Sequence, residues 1–193
     1  MNAPSTSMST APTLHLDQLV SLLVAEFARD PRGKGVAKLL ATYAAAHEDW
    51  RAYALFAPDA YTRNLVARHE AFELIVLCWQ KDQESPVHNH AGQQCWMAIL
   101  DGDIEEIQFE EPRDGHHGPL KRTSSRVCAR GKVAYIDDDI ALHVVRPVPG
   151  TAGCSLHLYS RPIETCGVYD ADTGVVSQRT MRYHSVRGVP CAT

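Results

Sequence analysis

A change of hydrophobic period near Tyr61 constrains this chain more than any other feature. From Leu14 to about Ala57 apolar residues recur at three and four positions, as in Leu16, Leu19, Val20 and Leu23 and again in Val36, Leu39, Leu40 and Tyr43. That spacing is one face of an α-helix. Pro31 and Gly33 separate a first helix from a second, and Pro58 ends a third, shorter helical stretch. After Tyr61 the period becomes two, and short β-branched and aromatic runs alternate with turn residues. Strands are expected at Phe72–Trp79, 96–100, 104–109, 132–136, 142–145, 154–160 and 180–185. Asp101-Gly102-Asp103 reads as the turn of a hairpin, because glycine accepts positive φ. Glu111 to Ser125, with two prolines and two glycines, reads as a polar loop. Many short strands without intervening helices exclude a parallel α/β sheet and predict a mainly β fold, an antiparallel barrel under an N-terminal helical cap.

Composition limits the partners. The 193 residues are 45% hydrophobic and 22% charged, with a net charge of -4, so nothing draws the chain to nucleic acid or an anionic membrane. Residues 1–13 are mostly Ser, Thr, Ala and Pro without an apolar run, which reads as a flexible tail and not a signal peptide. Residues 14–193 are expected to form one domain, with the cap over about 14–60 and the barrel over about 61–193. Six cysteines without CxxC pairs read as reduced thiols in a cytoplasmic protein. No window reaches the length of a membrane span, and a monomer acting on a small molecule is the expected state.

Two imidazoles stand in His88-Asn89-His90. At the start of a strand, residues two apart face the same way, so both rings can reach one metal ion. Cys95 follows five residues after His90 and Gly102 seven later, the spacing of the first cupin motif with its usual glutamate replaced by Cys95. Downstream, Gly131 to Ile136 leads to His143, where the second cupin motif supplies one more imidazole. Three histidines without a carboxylate form a neutral set, unlike the two-histidine, one-carboxylate triad of many non-heme Fe(II) oxygenases. His15, His47, His69, His116 and His117 read as structural or solvated. In Ser155-Leu156-His157-Leu158-Tyr159 strict alternation puts the Ser, His and Tyr on one face, and burying them together requires a hydrogen-bonded network or a polar cavity.

Taken together, Tyr61-Thr62-Arg63-Asn64-Leu65-Val66, Leu77-Cys78-Trp79, His88-x-His90 with Cys95, Ala134-Tyr135-Ile136-x-Asp138 with Leu142-His143, and Ser155 to Ser160 resemble the signatures of the cysteine dioxygenase family. Thr165-Cys166, Thr180-Met181 and His184-Ser185 extend the likeness almost to the C-terminus. The resemblance implies a cupin (jelly-roll-like) barrel that oxidises L-cysteine with O2 to cysteine sulfinic acid. It implies one Fe(II) per chain on His88, His90 and His143, and a substrate carboxylate gripped by the planar fork of Arg63. Tyr159 would stand beside substrate and O2, oriented by His157, with Ser155 supporting His157; Tyr61 and Trp79 would line the pocket, and Cys166 would lie near its mouth. Cys95 matches a position that in mammalian-like members forms a thioether with the tyrosine matching Tyr159, here expected across the barrel.

Two departures stand out. Arg161-Pro162 replaces a Pro-Pro pair, which places a further arginine beside the site, and Pro147 replaces an asparagine often found four residues after the third ligand. The alternatives are oxidation of another small thiol such as mercaptopropionate, for which relatives carry glutamine at the position of Arg63, and a metal-binding cupin sensor without turnover.

Overall fold

The computed structural model describes residues 15–112 and 118–192. The tail at residues 1–13 and the pair His116 and His117 lie outside the described residues. Two helices, α1 (Leu16–Arg29) and α2 (Val36–Ala46), and a 3-10 turn (Asp49–Tyr53) precede all the strands. The turn at Gly33 separating α1 from α2 has φ +60. The strands are β1 (Thr62–His69), β2 (Phe72–Trp79), β3 (Val87–His88), β4 (Cys95–Asp101), β5 (Ile104–Phe109), β6 (Arg122–Cys128), β7 (Val133–Ile136), β8 (Leu142–Pro147), β9 (Gly153–Tyr159), β10 (Thr165–Tyr169), β11 (Val176–Thr180), β12 (Ser185–Val186) and β13 (Val189–Pro190).

They form a seven-stranded sheet in the order β13-β12-β1-β2-β9-β4-β7 and a six-stranded sheet in the order β11-β10-β3-β8-β5-β6. All pairings are antiparallel except a short parallel one between β1 and β12. This is the expected mainly β cupin barrel with its helical cap. Among the described residues no helix is long and apolar enough to cross a membrane.

The larger sheet is buried on both faces, and its sequence shows why. In β2 the residues Phe72, Leu74, Val76 and Cys78 pack against the helices through Leu19, Leu23, Phe27, Leu40 and Trp50. The alternate residues Ile75, Leu77 and Trp79 join Met97, Ile99, Ile104 and Val145 in a second core between the sheets. Period-two alternation thus survives as a division between two cores, although every residue of β2 is buried. The same division in β9 sends Cys154, Leu156 and Leu158 to the helices and leaves Ser155, His157 and Tyr159 in the interior.

Three expected elements are corrected. Gly102 does make a turn, with φ +68, and a side chain there would meet the Ala152 carbonyl oxygen at 2.5 Å. The strands on either side are no hairpin, however: β4 pairs with β9 and β7, and β5 with β8 and β6. The chain crosses from one sheet to the other because both flanking strands have a face in the inter-sheet core, and packing on that core outweighs local pairing. The end of the expected polar loop is strand β6, held by its ladder to β5 with six of seven residues exposed, so no apolar alternation marks it. The expected strand at 180–185 is broken: Thr180 ends β11 and Ser185 begins β12, and between them the Met181 and His184 amides donate to the Glu164 and Arg63 carbonyls.

Candidate metal centre and its pocket

β3 and β8 lie side by side in the smaller sheet, with His88 and His143 as direct cross-strand partners. Their ring centroids are 4.6 Å apart, and the His90 ring lies 5.4 Å from His88 and 4.8 Å from His143. One ligand-capable atom from each of the three falls within 4.8 Å of the others.

His90 reaches this position differently from expectation. The strand ends at His88, and a turn follows with φ +52 at Ala91 and +76 at Gly92. Asp138 fixes that turn by accepting the amides of His90 and Gly92, each at 2.6 Å. Burial raises the Asp138 pKa, but the hydrogen bonds from the His90 side chain and from both amides together hold it below the ordinary range.

The outer nitrogens of the other two rings are engaged. Nδ1 of His88 lies 3.0 Å from the Pro86 carbonyl oxygen, and Nδ1 of His143 lies 2.9 Å from Glu106 Oε1. A partner on Nδ1 leaves Nε2 as the nitrogen each ring offers to a metal. His90 is buried with its Nδ1 3.5 Å from Asp138 Oδ1 and its Nε2 without a partner, a costly state for a polar ring that a metal ion on Nε2 would relieve. Burial holds His143 well below the ordinary histidine pKa and His88 down to about 3, with neighbouring imidazoles adding to both shifts. Buried, clustered, neutral imidazoles are the donor set that a transition-metal ion requires.

Sequence reasoning left out the carboxylate behind this cluster. Glu106 is 1% exposed, and its second oxygen accepts from Arg126 at 2.5 Å. Burial pushes its pKa up, against the opposing pull of Arg126. A signal was present: Glu106 shares the inward phase of β5 with Ile104, and an acidic residue in a core phase calls for a buried partner.

The cluster opens on a cavity lined by Arg63, His88, His90, His157, Tyr159 and Cys166, with Tyr61 and Trp79 also in its wall. The Tyr61 ring stacks on Trp79 at 4.5 Å. Trp79 Nε1 donates to Ser155 Oγ at 3.0 Å, Ser155 Oγ lies 2.9 Å from His157 Nε2, and His157 Nδ1 lies 3.3 Å from the Tyr159 hydroxyl. Indole nitrogen only donates, so Ser155 accepts from Trp79 and turns its own hydrogen to His157 Nε2. Burial keeps His157 neutral, which leaves its one proton on Nδ1, facing the Tyr159 oxygen. Tyr159 stays protonated because burial lifts its pKa well above the usual value, and its own hydrogen is free to point into the cavity.

Cys95 is the cross-strand neighbour of Tyr159, on the adjacent strand of one sheet and not across the barrel. Burial raises its thiol pKa. Cys166 Sγ donates to Met181 Sδ at 3.5 Å.

Arg63 is 8% exposed and its Nη2 donates to Glu73 Oε1 at 2.8 Å, while its Nε is buried without a partner. Glu73, which sequence reasoning also left out, sits in the inward phase of β2 and accepts from the Tyr183 hydroxyl at 2.6 Å. Arg161 is exposed, in a surface depression with Phe27 and Gln93, and does not line the cavity. Its φ of +87 is closed to proline, so the departure from Pro-Pro changes the backbone here and not the pocket's charge. Pro147 ends β8 opposite Ile104. His15 faces Asp49, His47 stacks on Tyr43 and His69 on Phe72, all apart from the cluster.

A family model described as cysteine dioxygenase type I matches residues 2–172. The chain is 36% identical to cysteine dioxygenase type 1 of Rattus norvegicus over 177 residues, 90% of this chain and 88% of that one. Against the Homo sapiens protein of the same name the identity is 35% over the same coverage. Among solved structures, an RmlC-like cupin protein from Desulfovibrio desulfuricans is 24% identical with a TM-score of 0.41, covering 61% of this chain and 97% of that one. A match across most of the chain, with a third of the aligned residues identical, means that this protein belongs to the cysteine dioxygenase type I family.

Proposed function

We propose that this protein is an iron-dependent dioxygenase that converts L-cysteine and O2 to cysteine sulfinic acid, with His88, His90 and His143 holding one Fe(II). When bound, iron supplies the template and electron conduit through which sulfur meets O2. The sulfur gives up four electrons and both oxygen atoms end on it, so no external reductant enters the balance. The observation that carries this reading is one cavity lined by Arg63, Tyr159 and two members of the three-histidine cluster, His88 and His90.

Each side chain then has a task that its surroundings support. Arg63 binds the substrate carboxylate, using guanidinium hydrogens that Glu73 does not take, among them the unpartnered Nε–H. The relay from Trp79 through Ser155 and His157 holds the Tyr159 oxygen still and directs its O–H into the cavity, where it donates to negative charge developing during oxygen transfer. Glu106 and Asp138 orient His143 and His90. Tyr61, stacked on Trp79, excludes water from one wall.

The purified protein, given cysteine and isotopically labelled O2, is expected to form sulfinate with both label atoms incorporated. His88→Ala, His90→Ala and His143→Ala should each lose bound iron and activity together. Absence of labelled sulfinate overturns the reaction, and full iron retention in any of the three variants overturns the ligand assignment.

A further inference from the structure

We infer that Cys78 and Cys154 form a redox modification site, where hydrogen peroxide joins the two sulfurs in a reversible disulfide that staples β2 to β9.

The register of the larger sheet sets the geometry. Cys78 and Cys154 are direct cross-strand partners on β2 and β9, with their sulfur atoms 3.9 Å apart. Direct partners on antiparallel strands have Cα atoms about 4.5 or 5.5 Å apart, and both spacings lie within the range that a disulfide spans. Closing the sulfur gap to the bonded length of about 2.0 Å asks for side-chain rotation and no change of register.

Buried cysteines often serve only as small apolar residues, and both thiols do pack in the core beneath the helices. Cys78, however, has polar company that packing does not require. Cys154 Sγ donates to Cys78 Sγ, and Nδ2 of the fully buried Asn64 lies 3.5 Å from the same sulfur. That nitrogen also faces Thr62 Oγ1 and the Leu55 and Val76 carbonyls, and it is held on this side because the Asn64 oxygen accepts from Ser185 Oγ at 2.7 Å. Hydrogen bonds from Cys154, Thr62 and Asn64 lower the Cys78 thiol pKa against the opposing effect of burial. Cys154, which gives its hydrogen to Cys78 and is itself buried, is held above the ordinary range. The pair thus divides into an attacking sulfur and a resolving one. Each stands one residue from a strand end, and the charges of Asp101 and of the half-exposed Arg51 reach Cys154. A small uncharged oxidant can enter there when the strand ends open.

The step balances. The Cys78 thiolate attacks one peroxide oxygen, the O–O bond breaks, and the departing hydroxide takes the proton that Cys78 gave up, leaving water and a sulfenic acid. The Cys154 sulfur then attacks the Cys78 sulfur, the S–O bond breaks, and hydroxide leaves with the Cys154 proton as a second water. The two thiols lose two hydrogens, and one peroxide is reduced to two waters. Ser155 follows Cys154 and holds His157, so the staple lies at the root of the relay without entering the cavity.

The test treats the purified, folded protein with hydrogen peroxide, removes the excess with catalase, unfolds the chain in an alkylating agent and reads peptide masses. The expected product is a linked pair of peptides holding Cys78 and Cys154, two hydrogens lighter than the separate peptides, which a dithiol reductant parts. A thioether between Cys95 and Tyr159 would also lose two hydrogens, but reductant leaves it intact. In the oxidised protein the midpoint of thermal unfolding should rise by about 5 °C or more and return on reduction. Cys78→Ser and Cys154→Ser should each lose the link and the rise, whereas Cys191→Ser, at an exposed thiol, should keep both. The parent's peptide map decides the matter even if either of the first two variants does not fold. Full alkylation of both thiols after peroxide, or an oxidised Cys78 beside a free Cys154, would show that the two sulfurs only pack. A link that forms without a higher midpoint would overturn the staple.

Discussion

Arg63 is set between two electrostatic demands, with Glu73 on one guanidinium nitrogen and the Tyr159 ring 5.6 Å from the guanidinium carbon. Replacing it with alanine removes the proposed carboxylate anchor and leaves Glu73 as a buried, unpaired charge. The first effect should lower kcat/KM for cysteine by about thirtyfold to several-thousandfold, from a loss of about 2 to 5 kcal/mol. The second should cost about 3 to 5 kcal/mol of stability. Cysteamine, which has thiol and amine but no carboxylate, isolates the two, because a purely structural role would lower both substrates by the same factor. At this scale the three-histidine cluster was legible: His88, His90 and His143 stood out by spacing, and the inward alternation of Ser155, His157 and Tyr159 announced a network. The partners Glu73 and Glu106 were passed over although each shares a strand phase with core residues, because a charged residue is ordinarily solvated and the residue it meets in the interior is far away in the chain.

β9 is the element on which most of the site depends. It lies between β2 and β4 and presents Ser155, His157 and Tyr159 inward while its leucines face the helices. Its register with β4 sets Tyr159 opposite Cys95 and His157 opposite Met97. Directly opposed side chains on antiparallel strands have Cβ atoms about 4.5 to 5.5 Å apart, which suits a thioether between Cys95 and Tyr159. Formation of that bond removes two hydrogens, with O2 as the oxidant. During turnover a fraction of molecules is expected to lose the mass of two hydrogens and run as a second band on a denaturing gel. Cys95→Ala should give one band, and an unchanged intact mass after many turnovers would mean that the two side chains only pack. The hairpin expected at Gly102 failed at this same scale. Its turn chemistry was read correctly, but pairing partners are chosen by which core each strand enters.

Across the whole molecule, burial works against the charged form of two interior imidazoles, those of His143 and His157. His143 and His157 are 1% and 2% exposed, and burial, aided by neighbouring positive groups, depresses both pKa values well below 6.5. An unfolded chain binds protons on both as pH falls through 6.5, while the folded chain resists. Their contribution to stability is therefore complete above pH 6.5 and is lost progressively as pH falls toward the folded values. Metal-free protein should lose about 1 kcal/mol per histidine for each pH unit below that point. Urea midpoints measured from neutral to mildly acidic pH would check it, and a flat profile would mean that these rings are charged or hydrated in the folded state.

What the sequence by itself determined was periodic and local: a helical cap before Tyr61, a mainly β fold after it, strands such as Phe72–Trp79, and the clustered histidines with the Ser155, His157 and Tyr159 face. These follow from alternation, turn residues and the scarcity of buried polar groups, all of which act over a few positions. Only the tertiary structure decided which sheet each strand joins, that β6 and β10 are strands at all, that His90 is placed by Asp138, and that Arg161 lies away from the cavity. It also brought Glu73 to Arg63 and Glu106 to His143. Those outcomes depend on contacts between residues far apart in the chain, whose energies are settled by shared burial and not by any local pattern.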